Sequence, residues 1–278
     1  CAPEKLTTND IDGLISHLHL VGGIKICEDK TEKQLKPLAP ASLRKVRFML
    51  KQAFDYAIDR ELISNNPAQK ITLPKVQRPN IQPFTKEEII KILDAAKETN
   101  MHIGIILALS TGLRRGELLG LRWSDIDLKS GLCTINRQLL AVDGQPVMSE
   151  SLKTADSIRQ VVIPDKVLTL LELEKANQES EQASKKDETD PKKKYQNTGL
   201  DYDLIVRQKS GKHFHPRNFG KNFEKILEKA GVDKRKVYNL RHTFATQLLS
   251  SGAYVSEVQS ALGHKDAKTT LQNYSHIL

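Results

Sequence analysis

Residues 238–276 read YNLRHTFATQLLSSGAYVSEVQSALGHKDAKTTLQNYSH. Tyr238 and Arg241 are three residues apart, so on a helix they share one face, which Phe244 and Leu248 continue as an apolar stripe. An arginine at the start of a core-facing stripe is costly to bury unless it meets an anion, and its planar fork of donors fits a phosphate. The stretch therefore predicts a helix that presents Arg241 to an anionic group.

Two further reactive side chains follow that helix. The apolar spacing over residues 255–262 predicts a second helix, which Gly263 can end, and His264 comes directly after this glycine. Tyr274 lies ten residues beyond His264 on a short polar segment. Because this segment offers little apolar sequence to pack against, we expect the side chain of Tyr274 not to be buried.

The composition favours a polyanionic partner. The chain has 278 residues, with 43 Lys and Arg against 34 Asp and Glu, so its formal net charge is +9. Such a balance is typical of proteins that bind nucleic acid, although charge alone does not separate them from a merely basic protein. The length suffices for one large domain or two small ones.

The cysteine spacing argues against a metal or disulfide framework. Cys1, Cys27 and Cys133 are far apart and form no CxxC pair, which indicates a reducing compartment and predicts no structural zinc. No apolar run reaches membrane-spanning length, and no signal peptide is present. We therefore expect no cofactor, no bound metal and no membrane association. The first residue is Cys, so its position is not taken as a natural terminus.

The N-terminal part predicts helices. Residues 7–20 open with capping residues and continue with helical spacing, and residues 21–40 indicate a loop. An amphipathic helix follows over residues 46–58, and Asn65, Asn66 and Pro67 are expected to end it. A second, basic stripe runs along this helix; taken alone, it is more often a solvated face than a binding surface. Its members are Arg44, Arg47 and Lys51.

A linker separates this part from the rest. Residues 73–83 contain three prolines and basic residues with little to bury. We accordingly assign residues 1–78 to a helical domain, 79–84 to a linker and 85–278 to a second domain.

The second domain is predicted to be mixed. Thr85 and Glu88 form a capping box, and a buried helix and a helix that begins with Arg114 and Glu117 follow. The period then changes to two over residues 132–139, which predicts a strand. The strand signals continue with a hairpin at Asp143-Gly144, a return strand from Val147 and a third strand over 158–163, and a polar connection between these last two strands carries Lys153. A helix over 167–173, a flexible surface insert at about 174–198 and a helix from Pro216 complete the domain. The fold class is therefore mainly α with a small antiparallel β-sheet.

The reactive residues suit phosphoryl transfer without a metal. Two arginines can stabilise the non-bridging oxygens, a lysine can protonate a leaving oxygen, and a tyrosine can form a covalent phosphotyrosine. Each residue alone has a more ordinary explanation: a helical ion pair for Arg114, a solvated lysine for Lys153, a helix cap for His264, and packing for Tyr274. Their ordered combination favours a site.

Five motifs resemble those of the tyrosine recombinases, and their spacing is closest to the integrases of conjugative transposons and phages. They are TGLRRGELLGLRW (111–123), KTADSIRQVVIP (153–164), YNLRHTFAT (238–246), LGH (262–264) and TTLQNYSH (269–276). By this resemblance the catalytic residues are Arg114, Lys153, Tyr238, Arg241, His264 and Tyr274. Glu117 and His242 support them, His242 in a structural role, and Arg44, Arg47, Lys51 and Arg159 contact DNA.

One position departs from the family pattern. Tyr238 stands where the second arginine motif usually begins with histidine. Its hydroxyl can still donate to a phosphate oxygen, but it cannot act as an imidazole base near neutral pH. Tyr238 also competes with Tyr274 as the nucleophile, and the flanking residues favour Tyr274.

The resemblance implies a site-specific DNA recombinase that cleaves and rejoins strands through a 3′-phosphotyrosine, with neither metal nor ATP. It implies a helical core-binding domain and an α+β catalytic domain, double-stranded DNA as partner, a homo-tetramer on two duplexes, and an accessory excision factor. The expected setting is the cytoplasm of a bacterial cell and the expected task is to integrate and excise a mobile element. The alternatives are a catalytically degenerate DNA-binding module, a chromosome-dimer resolving recombinase, and a type IB topoisomerase. The natural chain is expected to be longer at both ends, with an arm-binding domain before it and a docking tail after it.

Overall fold

A computed structural model describes residues 5–22, 36–74, 82–150, 158–186, 203–263, 270–271 and 274. The chain divides into two compact units, Cys1–Asn80 and Ile81–Leu278. The observed fold is mainly helical with small antiparallel sheets, as the sequence predicts. Within the described ranges, no helix has the length and apolarity needed to cross a bilayer.

Among its described residues, the first unit has two helices, α1 (Thr8–Leu20) and α2 (Pro40–Asp59). Thr7 caps the start of α1, as the sequence predicts, and Asp10 completes a capping box that was not predicted from the sequence. The apolar faces of the two helices enclose a small core, whose buried members are Ile11, Ile15, Leu43, Phe54, Ala68 and Ile71.

Helix α2 ends at Asp59, before the predicted stop at residues 65–67. Glu61 adopts the left-handed conformation with φ 60°, and Leu62 N–H donates to Ala57 O at 2.9 Å. This is the hydrogen bonding of a helix terminus that usually carries glycine, so the sequence offered no signal for it.

The second unit holds seven helices among its described residues, and the Thr85–Glu88 capping box starts the first of them. They are α3 (Lys86–Ala96), α4 (His102–Thr111), α5 (Arg115–Gly120), α6 (Asp165–Lys186), α7 (Pro216–Lys229), α8 (Tyr238–Ser250) and α9 (Val255–Leu262). Gly112 and Gly263, both left-handed, end α4 and α9.

Where the structure describes the chain, five short strands form two antiparallel sheets rather than the single sheet expected. They are β1 (Ile126–Asp127), β2 (Leu132–Ile135), β3 (Gln138–Val142), β4 (Gln145–Ser149) and β5 (Arg159–Val162). One sheet has the order β1-β2-β5, and the other is the hairpin β3-β4, which turns at Asp143-Gly144 as predicted.

The predicted strand over 132–139 is interrupted at Asn136–Arg137. Strand β3 leaves the larger sheet to cross α5, where a Cβ on Gly120 would lie 3.1 Å from Leu139 N. A side chain at this position would force the strand backbone to shift, so the glycine lets the strand pass close to the helix. The alternating pattern therefore predicted the strand conformation correctly but did not predict that the chain passes from one sheet to the other.

Helix α6 overturns part of the flexible-insert prediction. The segment 174–186 is helical, because Gln178 anchors it to the core despite its polar composition. Trp123 Nε1 donates to Gln178 Oε1 at 3.1 Å, and Gln178 Nε2 donates to Ile205 O at 2.9 Å. The amide of Gln178 is buried with hydrogen bonds to two partners, and these bonds hold the helix against the core although it lacks an apolar stripe. Residues 187–198 of the predicted insert lie outside the described residues.

Candidate active site

Arg241 projects from α8 into the interior of the second unit. Its side chain is 1% exposed, and it donates to Gly112 O at 2.7 Å and to Leu262 O at 2.6 Å. Burial, with the nearby charge of Arg114, lowers the pKa of Arg241 to about 10, so the guanidinium stays protonated near neutral pH. The side chain therefore keeps a full positive charge in a desolvated position.

One donor of Arg241 is left over. Its Nε is buried and has no hydrogen-bond partner among the residues that the structure describes. An unpaired buried donor costs on the order of 1–3 kcal/mol, more when it is charged. Such a group indicates a position that an anion completes.

Arg114 precedes α5 in extended conformation and is less buried, with 39% of its side chain exposed. Its Nη1 donates to Glu117 Oε1 at 2.7 Å, and its Nη2 donates to Gly263 O at 2.9 Å. The predicted spacing of Arg114 and Glu117 thus gives an ion pair at the helix start. The side chain as a whole is thus partly accessible from solvent.

Glu117 is the anion that holds two arginines in place. It accepts from Arg159 at 2.8 Å and 3.1 Å as well as from Arg114. Burial alone would raise the pKa of Glu117, but the hydrogen bonds and charge of Arg159, with the charge of Arg114, lower it to about 2. The carboxylate is therefore ionised throughout the neutral range.

The structure corrects the expectation that Arg159 contacts DNA. Its side chain on β5 is 8% exposed; besides Glu117, it donates from Nε to Ala261 O at 3.0 Å. A bidentate pair with a buried carboxylate satisfies the planar fork better than the surface would. Arg159 thus supports Glu117 and α9 from within the unit.

The three arginines converge on the C-terminus of α9. Ala261 O, Leu262 O and Gly263 O accept from Arg159, Arg241 and Arg114 in that order. Carbonyls at a helix C-terminus lack partners within the helix and carry partial negative charge, so cations there are stabilising. Three separate elements are thereby tied to the three residues that precede His264 in the chain.

Tyr274 is buried, contrary to expectation. It is 1% exposed and packs in an apolar cluster with Ala245, Leu249, Val258 and Leu262. The prediction considered only the polar residues beside Tyr274 in sequence, whereas α8 and α9 supply the apolar surface. Burial, with the nearby Tyr238, raises the pKa of the Tyr274 phenol, so it is protonated in this position.

His242 contacts the phenol directly. Its Nδ1 lies 2.6 Å from Tyr274 Oη, and its ring packs edge-on against Tyr238 with centroids 4.5 Å apart. Burial, with the positive charge of Arg241, lowers the pKa of His242 to about 4, so the imidazole is neutral. The sequence predicted a structural role for His242 but not its contact with Tyr274, because the two residues are 32 positions apart in the chain.

The structure thus brings together Arg114, Glu117, Tyr238, Arg241, His242 and Tyr274, all in the second unit. Lys153 and His264 lie outside the described residues. In the first unit, Arg44 is exposed, Lys51 is half-buried, and Arg47 is half-buried and donates to Gln69 O at 3.2 Å. No group of three or more metal-binding side chains occurs in the described part of the chain.

Replacing Glu117 with glutamine is expected to lower the free energy of unfolding by about 3–5 kcal/mol at pH 7, because it leaves the buried Arg159 without an anion. The lowered pKa also predicts a pH dependence. The stabilisation by Glu117 is fully present above its ordinary pKa of 4.5 and is lost as the pH falls toward about 2. Urea unfolding from pH 7 downward should therefore show the wild-type advantage shrinking below pH 4.5.

The matched control is Glu150→Gln. The Glu150 carboxylate is exposed and lies 3.6 Å from each of Arg122 and Arg137. Exposed pairs contribute less than about 1 kcal/mol, so this variant should unfold close to wild type. Equal effects of the two substitutions would contradict a special role for Glu117.

Comparison with known proteins points to one family. A model described as the phage integrase family matches residues 82–278. A tyrosine recombinase XerC-like protein of Caldanaerobacter subterraneus subsp. tengcongensis is 32% identical over 252 residues, which cover 85% of this chain and 62% of that protein. The ICEBs1 integrase of Bacillus subtilis is 25% identical over 278 residues, covering 99% of this chain and 68% of that protein. The chain thus spans less than two thirds of the XerC-like protein.

Solved structures share the fold. The Tn1549 transposon integrase in complex with transposon right end DNA has a TM-score of 0.77 and 19% identity, with 99% of this chain and 82% of that chain covered. A lambda integrase dimer bound to a COC′ core site has a TM-score of 0.64 and 19% identity, with 98% and 81% covered. At these identities the likeness establishes the architecture.

Proposed function

Because the chain belongs to the phage integrase family, we propose that it is a site-specific DNA recombinase that acts through a covalent 3′-phosphotyrosine. The observation that carries the proposal is the unpaired, buried Nε of Arg241. A charged donor without a partner in a desolvated site fits the scissile phosphate, which would complete it.

The remaining groups around Arg241 suit the same chemistry. The Arg114 side chain is partly exposed, while Glu117 and Gly263 O fix the orientation of its guanidinium. Two preorganised cations can stabilise the charge that develops on the non-bridging oxygens of a phosphodiester in the transition state. The hydroxyl of Tyr238, which is partly exposed, can donate to a further phosphate oxygen.

In the proposed reaction, Tyr274 Oη attacks the phosphorus, and the 5′ oxygen of the next nucleotide leaves with its electron pair. Lys153 protonates that oxygen, and His264 assists the arginines in holding the phosphate. The hydroxyl of a partner strand then attacks the phosphotyrosine and reverses the step. The energy of the phosphodiester bond is conserved, so ATP has no part in the step.

The names of relatives support part of a wider role. We propose that the protein binds double-stranded DNA, assembles as a homo-tetramer on two duplexes, and integrates and excises a mobile element with an accessory excision factor. The names of the ICEBs1 and Tn1549 integrases support the mobile element. Arg44, Arg47 and Lys51 on α2 are proposed to contact the DNA backbone, since phosphate contacts dominate the affinity of such proteins.

The test is a covalent trapping assay in EDTA. A duplex selected from a random-sequence pool by binding to the protein is prepared with single nicks at successive positions, so that cleavage beside a nick releases a short oligonucleotide and blocks rejoining. We expect a protein–DNA band that survives a denaturing gel for one or two nick positions. Tight binding to the selected site without a covalent band at any position would instead favour a catalytically degenerate DNA-binding module.

A second readout separates the enzymatic alternatives. A recombinase should join the cleaved strand to a second duplex bearing the same site. Relaxation of a supercoiled plasmid without such joining would favour a type IB topoisomerase.

A further inference from the structure

The contact between Tyr274 and His242 has a direction. Tyr274 Oη lies 2.6 Å from His242 Nδ1, and no other hydrogen-bond partner of the hydroxyl occurs in the described parts of the chain. A phenol that is protonated must place its hydrogen on an acceptor when it is buried. Tyr274 therefore donates, and the neutral imidazole accepts at Nδ1 with its own proton on Nε2.

Tyr238 cannot serve as the general base at its position in the motif. It stands where imidazole is usual, and a phenol there cannot take up a proton near neutral pH. His242 directly follows Arg241 in the sequence. Its imidazole packs against the Tyr238 ring and contacts the hydroxyl of Tyr274.

We propose that His242 is the general base that takes the phenolic proton of Tyr274 during attack on the phosphate. The inference rests on the proposed function, in which Tyr274 is the nucleophile. The O–H bond of Tyr274 breaks as its proton moves to Nδ1, a bond forms between Oη and phosphorus, and the bond from phosphorus to the 5′ oxygen breaks. The 5′ oxygen keeps the electron pair and receives its proton from Lys153. In the rejoining step, the imidazolium returns its proton to the departing phenol.

The surroundings explain when the proton moves. The titratable and charged groups that face His242 among the described residues are Tyr238, Arg241 and Tyr274. Before DNA binds, burial and the Arg241 cation make an imidazolium unfavourable, and the phenol stays protonated. A bound phosphodiester brings negative charge beside Arg241, and this charge stabilises a cation on His242. Proton transfer is thereby coupled to the arrival of the scissile phosphate.

His242→Asn is the discriminating variant, because the asparagine Oδ1 takes nearly the position of Nδ1 and accepts a hydrogen bond but cannot hold a proton. We expect the single-turnover rate of covalent-complex formation on the trapping duplex to fall by about 10²–10⁴-fold at pH 7. The wild-type rate should be nearly independent of pH between about 6 and 8, because the imidazole is already neutral. The variant rate should rise about tenfold per pH unit, because hydroxide must then remove the proton.

Two further measurements separate chemistry from structure. Imidazole added to His242→Ala should restore part of the lost rate, which a purely structural role would not produce. His102→Asn is the matched control: His102 starts α4, at the opposite end of that helix from Gly112, and burial lowers its pKa as well. This control should keep the wild-type rate and pH profile.

The outcomes distinguish the two proposals. If the wild-type protein forms no covalent complex, the proposed function fails and this inference fails with it. If Tyr274→Phe still forms one, the proposed function stands, but Tyr274 is not the nucleophile and this inference fails. If Tyr274→Phe is inactive but His242→Asn retains the wild-type rate and pH profile, the proposed function stands and His242 is not the base. A slow His242→Asn with an unchanged pH profile and no imidazole rescue of His242→Ala likewise overturns the inference.

Discussion

Replacing Tyr274 with phenylalanine is expected to abolish the covalent protein–DNA complex while leaving the protein folded and able to bind DNA. The substitution removes one oxygen atom, so the apolar cluster of α8 and α9 around the ring is kept. The hydrogen bond to His242 is lost, which costs about 1 kcal/mol of stability. Activity and stability should therefore separate clearly in this variant.

The measurement compares the band on a denaturing gel for Tyr274→Phe, Tyr238→Phe and Tyr254→Phe. Tyr254 is the matched control, because its side chain is 77% exposed at the start of α9. We expect the band to persist in Tyr254→Phe and in Tyr238→Phe, at a reduced rate in the latter. A band lost only in Tyr238→Phe would move the nucleophile to that residue and refute the assignment of Tyr274.

Replacing Arg241 with lysine is expected to slow covalent-complex formation by about 10³-fold or more, although the charge is retained. The guanidinium reaches Gly112 O and Leu262 O at the same time and still has Nε for a phosphate. The single ammonium nitrogen of lysine cannot donate to Gly112 O, Leu262 O and a phosphate at the same time. The loss should therefore appear in the rate at saturating protein rather than in the affinity for DNA.

The stability of Arg241→Lys must be measured alongside its rate. One of the two carbonyls is expected to lose its partner in the interior, which costs about 1–3 kcal/mol of unfolding free energy. Arg217→Lys on the exposed side of α7 serves as control and should match wild type in both measurements. A rate for Arg241→Lys within tenfold of wild type would show that the fork geometry of Arg241 is not used in the transition state.

The Arg241→Lys prediction depends on the convergence of three arginines on the end of α9. Because Arg114 and Arg159 share Glu117, a change at that carboxylate should also displace Arg114. This displacement gives the expected loss of stability in Glu117→Gln a catalytic counterpart.

The amino-acid sequence by itself determined the local elements of the site. The three-residue spacing of Arg114 and Glu117 offered an ion pair as one explanation of Arg114, and Gly263 predicted the end of α9. These features depend on residues within about one helical turn of each other, so the local sequence is enough to indicate them. The ordered motifs likewise predicted the family.

The contacts between residues far apart in the chain became known from the tertiary structure and not from the sequence. Arg159 meets Glu117 over 42 residues, and Tyr274 meets His242 over 32. Burial of Tyr274 and of Gln178 went against the polar sequence beside each of them, because distant helices and loops supply their surroundings. Whether a polar side chain is buried depends on the partners that the fold brings to it, and these partners are not encoded in its neighbours along the sequence.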